Sequence, residues 1–570
     1  MGYFRFVGGV HSDLSRKPFM VMNYNTCEGG TGHPGFICHK QPHIERHLRD
    51  RIKASGSSNL RVSSTLQSIR EDDDYVYATY TDAAGASHEV RAQYLVGADG
   101  KTGFTRKKYL EPRGVSLDRL PACSYNEVWV ALNWRMSLPT PETHPDFPLW
   151  KKGFSPQQVY DAFFPTDFRF LCNPSRAAVC GRFGLDEDRL WRFEFVVLPG
   201  EDGTVMAGED KIREIVHPYL IHPASRYGLG SGVITYPEDC IEVLRCRPFS
   251  FNARSCNRWW LNRVVLCGDA AHVFPPFGGQ GIASGFRDAI ALAWRLVLAT
   301  GHLNDKKNEV DGDRLLSGWC AERKQQLDKS LAATIENGDF VTATNPLKIL
   351  VRDWYLWVLQ LVPSWKRWLE QGQRREGMWK YRWEKDKGMA FLPEMGGGGN
   401  FPQVYCTRLG DHAKEEHQKE NVEVLFTDDA IFSNKKGVFQ LVVLLDNLSE
   451  LEGVNATVKG ITDASDGYLI AGEATFFLND TKTPNSFSGL AHPGTYRLAT
   501  AEEFSASPNG IHIRRPPPLH YDAHRMSKEV NGSRFVILRA DRFIFAVADS
   551  VDEILKAAKA VPLVARGSAP

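Results

Sequence analysis

At 570 residues and 64.1 kDa the chain is long enough for roughly two to four domains, each with its own core. Lys+Arg 69 against Asp+Glu 68 leaves a formal net charge of +1, so no global field recruits nucleic acid or an anionic membrane. Hydrophobic content of 42% and aromatic content of 11% exclude a disordered chain. The 11 cysteines are scattered without a C-x-x-C pair, so neither a metal site nor a redox dithiol is expected.

No signal peptide, lipidation signal or 18-residue apolar run is found, which predicts a soluble protein of a reducing compartment, most simply cytoplasmic. Near the start, EGGTGHPGF (28–36) holds a literal G-x-G-x-x-G at Gly30, Gly32 and Gly35. A dinucleotide turn needs a buried strand running into the glycines and a helix leaving them. Here polar NYNTCE precedes the glycines, and Pro34 stands where the helix should begin. The spacing therefore predicts a Gly-rich connection to a helix at QPHIERHLRDRIKAS, with Pro42 in its first turn and Ile44, Leu48 and Ile52 as a buried stripe.

Strand-like runs follow at LRVSSTLQSIR, YVYATYTD and HEVRAQYLVGADG, and short β-like runs between about 121 and 235 predict a mostly antiparallel sheet. Cys38 and Cys267 read as reduced, buried thiols in apolar strand-like surroundings. Long helical patterns span RDAIALAWRLVLAT and LLSGWCAERKQQLDKSLAATI. Six tryptophans then lie between Trp354 and Trp383, predicting a bundle helix docked by its Trp face, with a membrane-surface helix as the alternative. MGGGGNFPQ (395–403) reads as a flexible linker ahead of a small α/β unit.

Two motifs carry chemistry. YLVGADGKTGFTR (94–106) is an apolar strand ending in an Asp-Gly turn. Asp99 can accept bonds from sugar hydroxyls, and Gly100 lets backbone approach a phosphate; an ordinary hairpin turn is the plain alternative. RVVLCGDAAHVFPPFGGQGIASGFRDAIALAWRL (263–296) is more specific. A strand ends in Gly268-Asp269, a loop stiffened by Pro275-Pro276 and stripped by Gly278, Gly279, Gly281 and Gly285 follows, and then a helix whose N-terminus suits an anionic or electron-rich ligand edge.

Together with HPGFICHKQPHIERHL, and in the same order, these motifs resemble the FAD fingerprints of flavin-dependent aromatic hydroxylases typified by para-hydroxybenzoate hydroxylase, in particular the phenol hydroxylase and 3-hydroxyphenylpropionate hydroxylase branch, over about residues 20–345. The resemblance implies an α/β fold with an α+β insert, in these parts. Residues 1–36 are a substrate-side segment. A Rossmann-like FAD domain comprises 37–120 and 241–345, and an antiparallel substrate domain 121–240. A helical region and linker occupies 346–420, and a thioredoxin-like domain without redox cysteines 421–570. It implies FAD with NAD(P)H and O₂, a flavin hydroperoxide delivering OH to a small phenolic substrate, and no nucleic acid or integral membrane partner; a homodimer stays open.

By the same resemblance, Asp99 and Gly100 lie at the pyrophosphate and ribityl side. Asp269, beside Gly268, binds a ribityl hydroxyl, Gln41 nears the diphosphate, and the N–H groups of Ile282 and Ala283, after Gly279 and Gly281, meet the flavin pyrimidine edge. Pro276 lines the reaction side. Arg254 is a candidate anchor for a phenolate or carboxylate, with a structural Arg as the alternative, and His272 is more structural than catalytic. Gly103 replaces a usual Ser and Ala283 a usual Asn. The family also opens with a true glycine fingerprint unit that has no counterpart here. That implies either a fragment or a chain that holds FAD poorly, with exposed apolar strand edges. A flavin-poor homologue with a binding or regulatory role, and an FAD-dependent oxidase or halogenase, are the alternatives.

Overall fold

The computed structural model describes residues 2–8, 14, 17–119, 126–275, 279–301, 310–410, 423–484 and 494–567. Its architecture is mixed α/β. The largest early sheet has seven strands in the order Ile241–Asn252, Asn126–Met136, Leu190–Val196, Ala178–Phe183, Phe168–Cys172, Tyr3–Gly8, Met20–Asn23. All neighbours are antiparallel except Tyr3–Gly8 against Phe168–Cys172. The alternation of LWRFEFV sends Trp191, Phe193 and Phe195, each 0% exposed, to one face, where they meet Trp134, Phe163 and Tyr236. The antiparallel expectation matches this sheet, which also takes in Ile241–Asn252.

Its other face carries Phe6, Trp129 and Phe170, against which the helices Pro346–Gln360 and Pro363–Gln371 bury Leu356 and Leu369. The expected Trp docking occurs only at Trp379 and Trp383, which pack against Tyr381, Phe391 and Phe543. Trp354, Trp357, Trp365 and Trp368 are 63%, 58%, 49% and 47% exposed, because leucines, not tryptophans, occupy the inward positions.

Around the two motifs, a three-stranded sheet orders Trp260–Leu261, Val264–Leu266, Leu95–Gly97, the last two parallel. The helices Gln280–Ala299 and Gly312–Val341 cover it through Leu292, Trp319 and Leu327. Leu95–Gly97 is an edge among the described residues, with Val96 42% exposed; Ile282, Phe286 and Ile290, one face of the following helix, are also exposed. The helix Gln41–Ser55 begins as expected with Pro42 in its first turn. Its stripe is not buried, however: Leu48 and Ile52 face solvent, since periodicity assigns a common face and not a cover for it. Cys267 is buried; Cys38 is half-buried, outside any strand, its thiol pushed up to about 11 by burial.

The last sheet also has seven strands, in the order Leu425–Phe426, Tyr405–Arg408, Thr495–Leu498, Thr475–Leu478, Phe439–Leu445, Phe535–Arg539, Ile544–Ala548, parallel at Phe439–Leu445, Thr475–Leu478 and Thr495–Leu498. Because Tyr405–Arg408 already belongs to it, this unit starts before residue 421. The glycines 396–399 are not a flexible linker. Gly398 N–H donates to Ile544 O at 2.9 Å and Ile544 N–H to Gly399 O at 2.8 Å, while a Cβ on Gly397 would stand 2.4 Å from Phe545 O. Here glycine permits close backbone packing rather than motion.

This unit is joined to the helix Gly312–Val341 through a fully buried ion cluster. Glu322 accepts two bonds from Arg539 and one from Arg295, each 2.8 Å, and Arg539 also donates to Asp541. Burial pushes the Glu322 carboxyl up, but Arg295 and Arg539 outweigh it and hold it at about 2.

Candidate functional site

The two motifs meet at the C-terminal ends of paired parallel strands. Leu266 registers with Gly97, and Cys267 N–H donates to Gly97 O at 3.0 Å. In an open α/β sheet the crevice beyond such strand ends is where ligands bind. Arg106, 2% exposed, ties the motifs together: its Nε donates to Ala270 O at 3.1 Å and its guanidinium also reaches Lys101 O. The sequence shows Arg106 only as one of several basic residues, so this bridge was not foreseen.

In the first motif Asp99 is exposed, and its Oδ2 accepts the Thr105 N–H at 2.7 Å. A Cβ on Gly103 would lie 2.1 Å from Asp99 Cγ, so glycine is required here by the way this carboxylate folds back. Gly100 has φ +82° with open space where a side chain would be.

In the second motif Gly268 has φ +58°, and a Cβ on Gly285 would meet its Cα at 3.6 Å, so loop and helix backbones touch directly. A buried network fixes that contact. Asp288 Oδ2 accepts from Gly268 N–H at 3.0 Å and from His272 Nε2 at 2.7 Å, while Oδ1 accepts from Arg323 Nε at 2.8 Å. Burial pushes the Asp288 carboxyl up, but His272 and Arg323 bring it below the usual range. His272 is 0% exposed and bonded to this carboxylate, which fits a structural role. Sequence reasoning missed Asp288 and Arg323; the only sign was two charged residues on inward helix positions.

Asp269 is exposed, and its carboxylate has no hydrogen-bond partner among the described residues. Burial raises its pKa, partly offset by His272 and Lys101. Such an acceptor suits a hydroxylated ligand. Gly279 caps the helix Gln280–Ala299 at φ +62° with no side-chain cap, so among the described residues the first-turn N–H groups, at Gly281, Ile282 and Ala283, carry no side-chain acceptor. Ile282 is 50% exposed and Gly281 has open space around it.

Arg254 lies on the strand Arg254–Cys256, opposite Val273, and its Nε is buried with no partner. Gln41 is exposed at its helix start and donates to Glu45 at 2.7 Å. Pro276 and Gly278 lie outside the described residues. The EGGTGHPGF loop is not part of this site. It packs on later chain, with Gln403 N–H donating to Gly30 O at 2.9 Å and Arg374 to Gly35 O at 2.9 Å.

A cavity of about 650 Å³ lies between His33–Cys38 chain, the turn at Gly184 and the Arg515 loop, and no residue of 94–106 or 263–296 lines it. Burial, then Arg515 and Arg542, hold His33 there at about 4, hence neutral. The Asp269 acceptor and the first-turn N–H donors of the Gly279 helix stand elsewhere, among the motif residues.

The FAD binding domain family matches residues 15–118 and 237–307. A "Probable NADH-specific resorcinol 4-hydroxylase" of Rhodococcus jostii (strain RHA1) is 29% identical over 329 residues, covering 57% of this chain and 51% of that protein. A 3-(3-hydroxy-phenyl)propionate/3-hydroxycinnamic acid hydroxylase of Escherichia coli (strain K12 / DH10B) is 26% identical over 328 residues, covering 58% and 49%. The chain thus spans about half the length of the curated relatives it matches. Aklavinone-11 hydroxylase, solved with FAD and aklavinone, superposes with TM-score 0.59 at 16% identity, over 98% of this chain and 85% of that one. The rebeccamycin biosynthetic enzyme RebC with reduced flavin gives TM-score 0.56 at 18% identity, over 100% and 85%. The relatives are hydroxylases of aromatic compounds, and the solved structures share the fold.

Proposed function

We propose that this chain works as an FAD-dependent monooxygenase that hydroxylates a small phenolic or aromatic molecule, with NAD(P)H as electron donor and O₂ as oxidant. The observation that carries this reading is the partnerless Asp269 carboxylate beside an uncapped helix start, held by the Asp288–His272–Arg323 network at a parallel strand end. This set of acceptors and N–H donors fits a flavin. Asp269 would accept ribityl hydroxyls, Asp99 and Gly100 would lie along the ribityl–pyrophosphate side, Gln41 would near the diphosphate, and Gly279, Gly281, Ile282 and Ala283 would offer N–H groups to the pyrimidine edge.

When bound, FAD supplies the reductive activation of oxygen that no side chain can. The chain's own residues bind, orient and exclude water. Arg254, with its buried Nε free, would hold a phenolate or carboxylate. Pro276 would line the reaction side. By this reading residues 1–36 and 121–240, with the strand Ile241–Asn252, form the substrate unit. The stretches 37–120 and 253–345 form the Rossmann-like FAD unit, and the last sheet is a thioredoxin-like unit without a redox pair. The protein would be cytoplasmic, with homodimer formation open.

The alternative is a flavin-poor homologue of the same fold. On that reading the chain binds flavin weakly and acts as a binding or regulatory homologue. Coupled turnover separates the two. NADH or NADPH oxidation that requires FAD and a phenol, and yields a hydroxylated product carrying one atom of labelled O₂, supports the monooxygenase. Phenol binding without product supports the homologue.

A further inference from the structure

We propose that His144, Asp239 and Cys240 form a zinc site on the large antiparallel sheet, apart from the flavin motifs. The strands Asn126–Met136 and Ile241–Asn252 pair with Met136 opposite Ile241, so the loop leaving one strand meets the turn entering the other. That juxtaposition places His144 Nε2 at 3.0 and 3.2 Å from the Asp239 carboxylate oxygens and 4.0 Å from Cys240 Sγ, with the three donor atoms within 4.8 Å of one another. A tetrahedral zinc with Zn–N and Zn–O of about 2.0–2.2 Å and Zn–S of about 2.3 Å needs donors about 3.3–3.6 Å apart. Reaching it needs about 0.4 Å of contraction between His144 Nε2 and Cys240 Sγ, up to about 1.2 Å across the widest donor pair, and a small opening between His144 and Asp239.

A simple His–Asp ion pair would explain two of these groups but not the convergence of a thiol. The surroundings also suit a metal-bound imidazole. Thr143 Oγ1 lies 2.9 Å from His144 Nδ1, so Nδ1–H can donate outward and leave the Nε2 lone pair for the ion. The loop that presents the ring is fixed by His144 N–H to Thr140 O at 2.8 Å and by Trp150 Nε1 to His144 O at 2.7 Å. Cys240 is 5% exposed, and zinc binding would release its thiol proton to solvent as the thiolate forms. Asp239 is exposed, which leaves the fourth position open to water. The site would clamp the loop onto the sheet. Cysteine spacing gives no sign of it because the ligands come from separate strand ends.

The test uses the full chain, stripped with chelator and dialysed against Zn²⁺, with Co²⁺ as the spectroscopic probe. One equivalent of tightly held metal is expected, with a thiolate-to-cobalt charge-transfer band that Cys240→Ser abolishes. Asp239→Asn and His144→Gln, at positions that do not build the core, should each weaken binding at least tenfold. Metal affinity unchanged in Asp239→Asn and His144→Gln, or a charge-transfer band that survives Cys240→Ser, overturns the proposal and leaves an ordinary ion pair. Should Cys240→Ser fail to fold, the other two variants still decide.

Discussion

Replacing Glu322 by Ala removes the acceptor of three charge-assisted bonds, and leaves Arg295 and Arg539 buried with only Asp541 to balance them. Breaking a buried ion cluster by deleting one partner costs about 3–5 kcal/mol, mostly because the remaining charges stay desolvated. For a unit of 150–250 residues each kcal/mol moves Tm by about 2–4 °C, so a fall of roughly 6–20 °C is expected. Scanning calorimetry reads it, and the transition containing the last sheet should be the one that moves. The sign with pH follows from the same group. Glu322 is held at about 2 in the fold, below its ordinary value of 4.5. Its contribution is therefore full above pH 4.5 and is lost as pH falls towards 2. Replacing Glu322, Arg295 and Arg539 together by apolar residues should cost less than Glu322→Ala alone. A Glu322→Ala melt that matches the parent would refute the reasoning.

Gly397→Ala should destabilise the last sheet by about 1–3 kcal/mol, since its Cβ would sit 2.4 Å from Phe545 O; urea unfolding measures it, and a neutral outcome would mean that the glycine run can move aside. Arg106→Ala should loosen the joint between the two motifs by about 1.5–3 kcal/mol, since a charged donor is lost from the buried Ala270 carbonyl and from that of Lys101; hydrogen exchange at Thr105 and Ala271 should rise with it. Trp259→Ala, in the core beside Trp319, should cost about 3–5 kcal/mol, whereas Trp354→Ala, on an exposed face, should stay within about 0.5 kcal/mol; equal losses by chemical denaturation would mean the exposed tryptophans are covered in solution.

Sequence pattern carried the strand, Gly268-Asp269 turn and long helix, because period-2 and period-3.6 runs with glycine and proline between them are local signals. It also carried the rejection of Gly30, Gly32 and Gly35 as a phosphate turn. What it could not carry was pairing at a distance. Asp288, His272 and Arg323 look like scattered charges until the fold sets them in one buried network, and the same holds for Glu322 with Arg539. The glycines at 396–399 show a second limit: composition alone does not separate a residue chosen for freedom from one chosen for close approach. The stripe of Ile44, Leu48 and Ile52 shows a third, since an apolar face in sequence is buried only if something lies over it.

The central claim is that Asp269 and the Gly279 helix start hold a flavin. Titrating FAD into the purified full chain while following visible absorption and flavin fluorescence tests it. Hydrogen bonds to a charged acceptor contribute about 1.5–3 kcal/mol each, and 1.4 kcal/mol is one decade of affinity. Saturable binding that shifts the flavin bands, weakened at least tenfold in Asp269→Ala, is the predicted result. A flavin spectrum unchanged by the protein, or equal affinity in parent and variant, would contradict it.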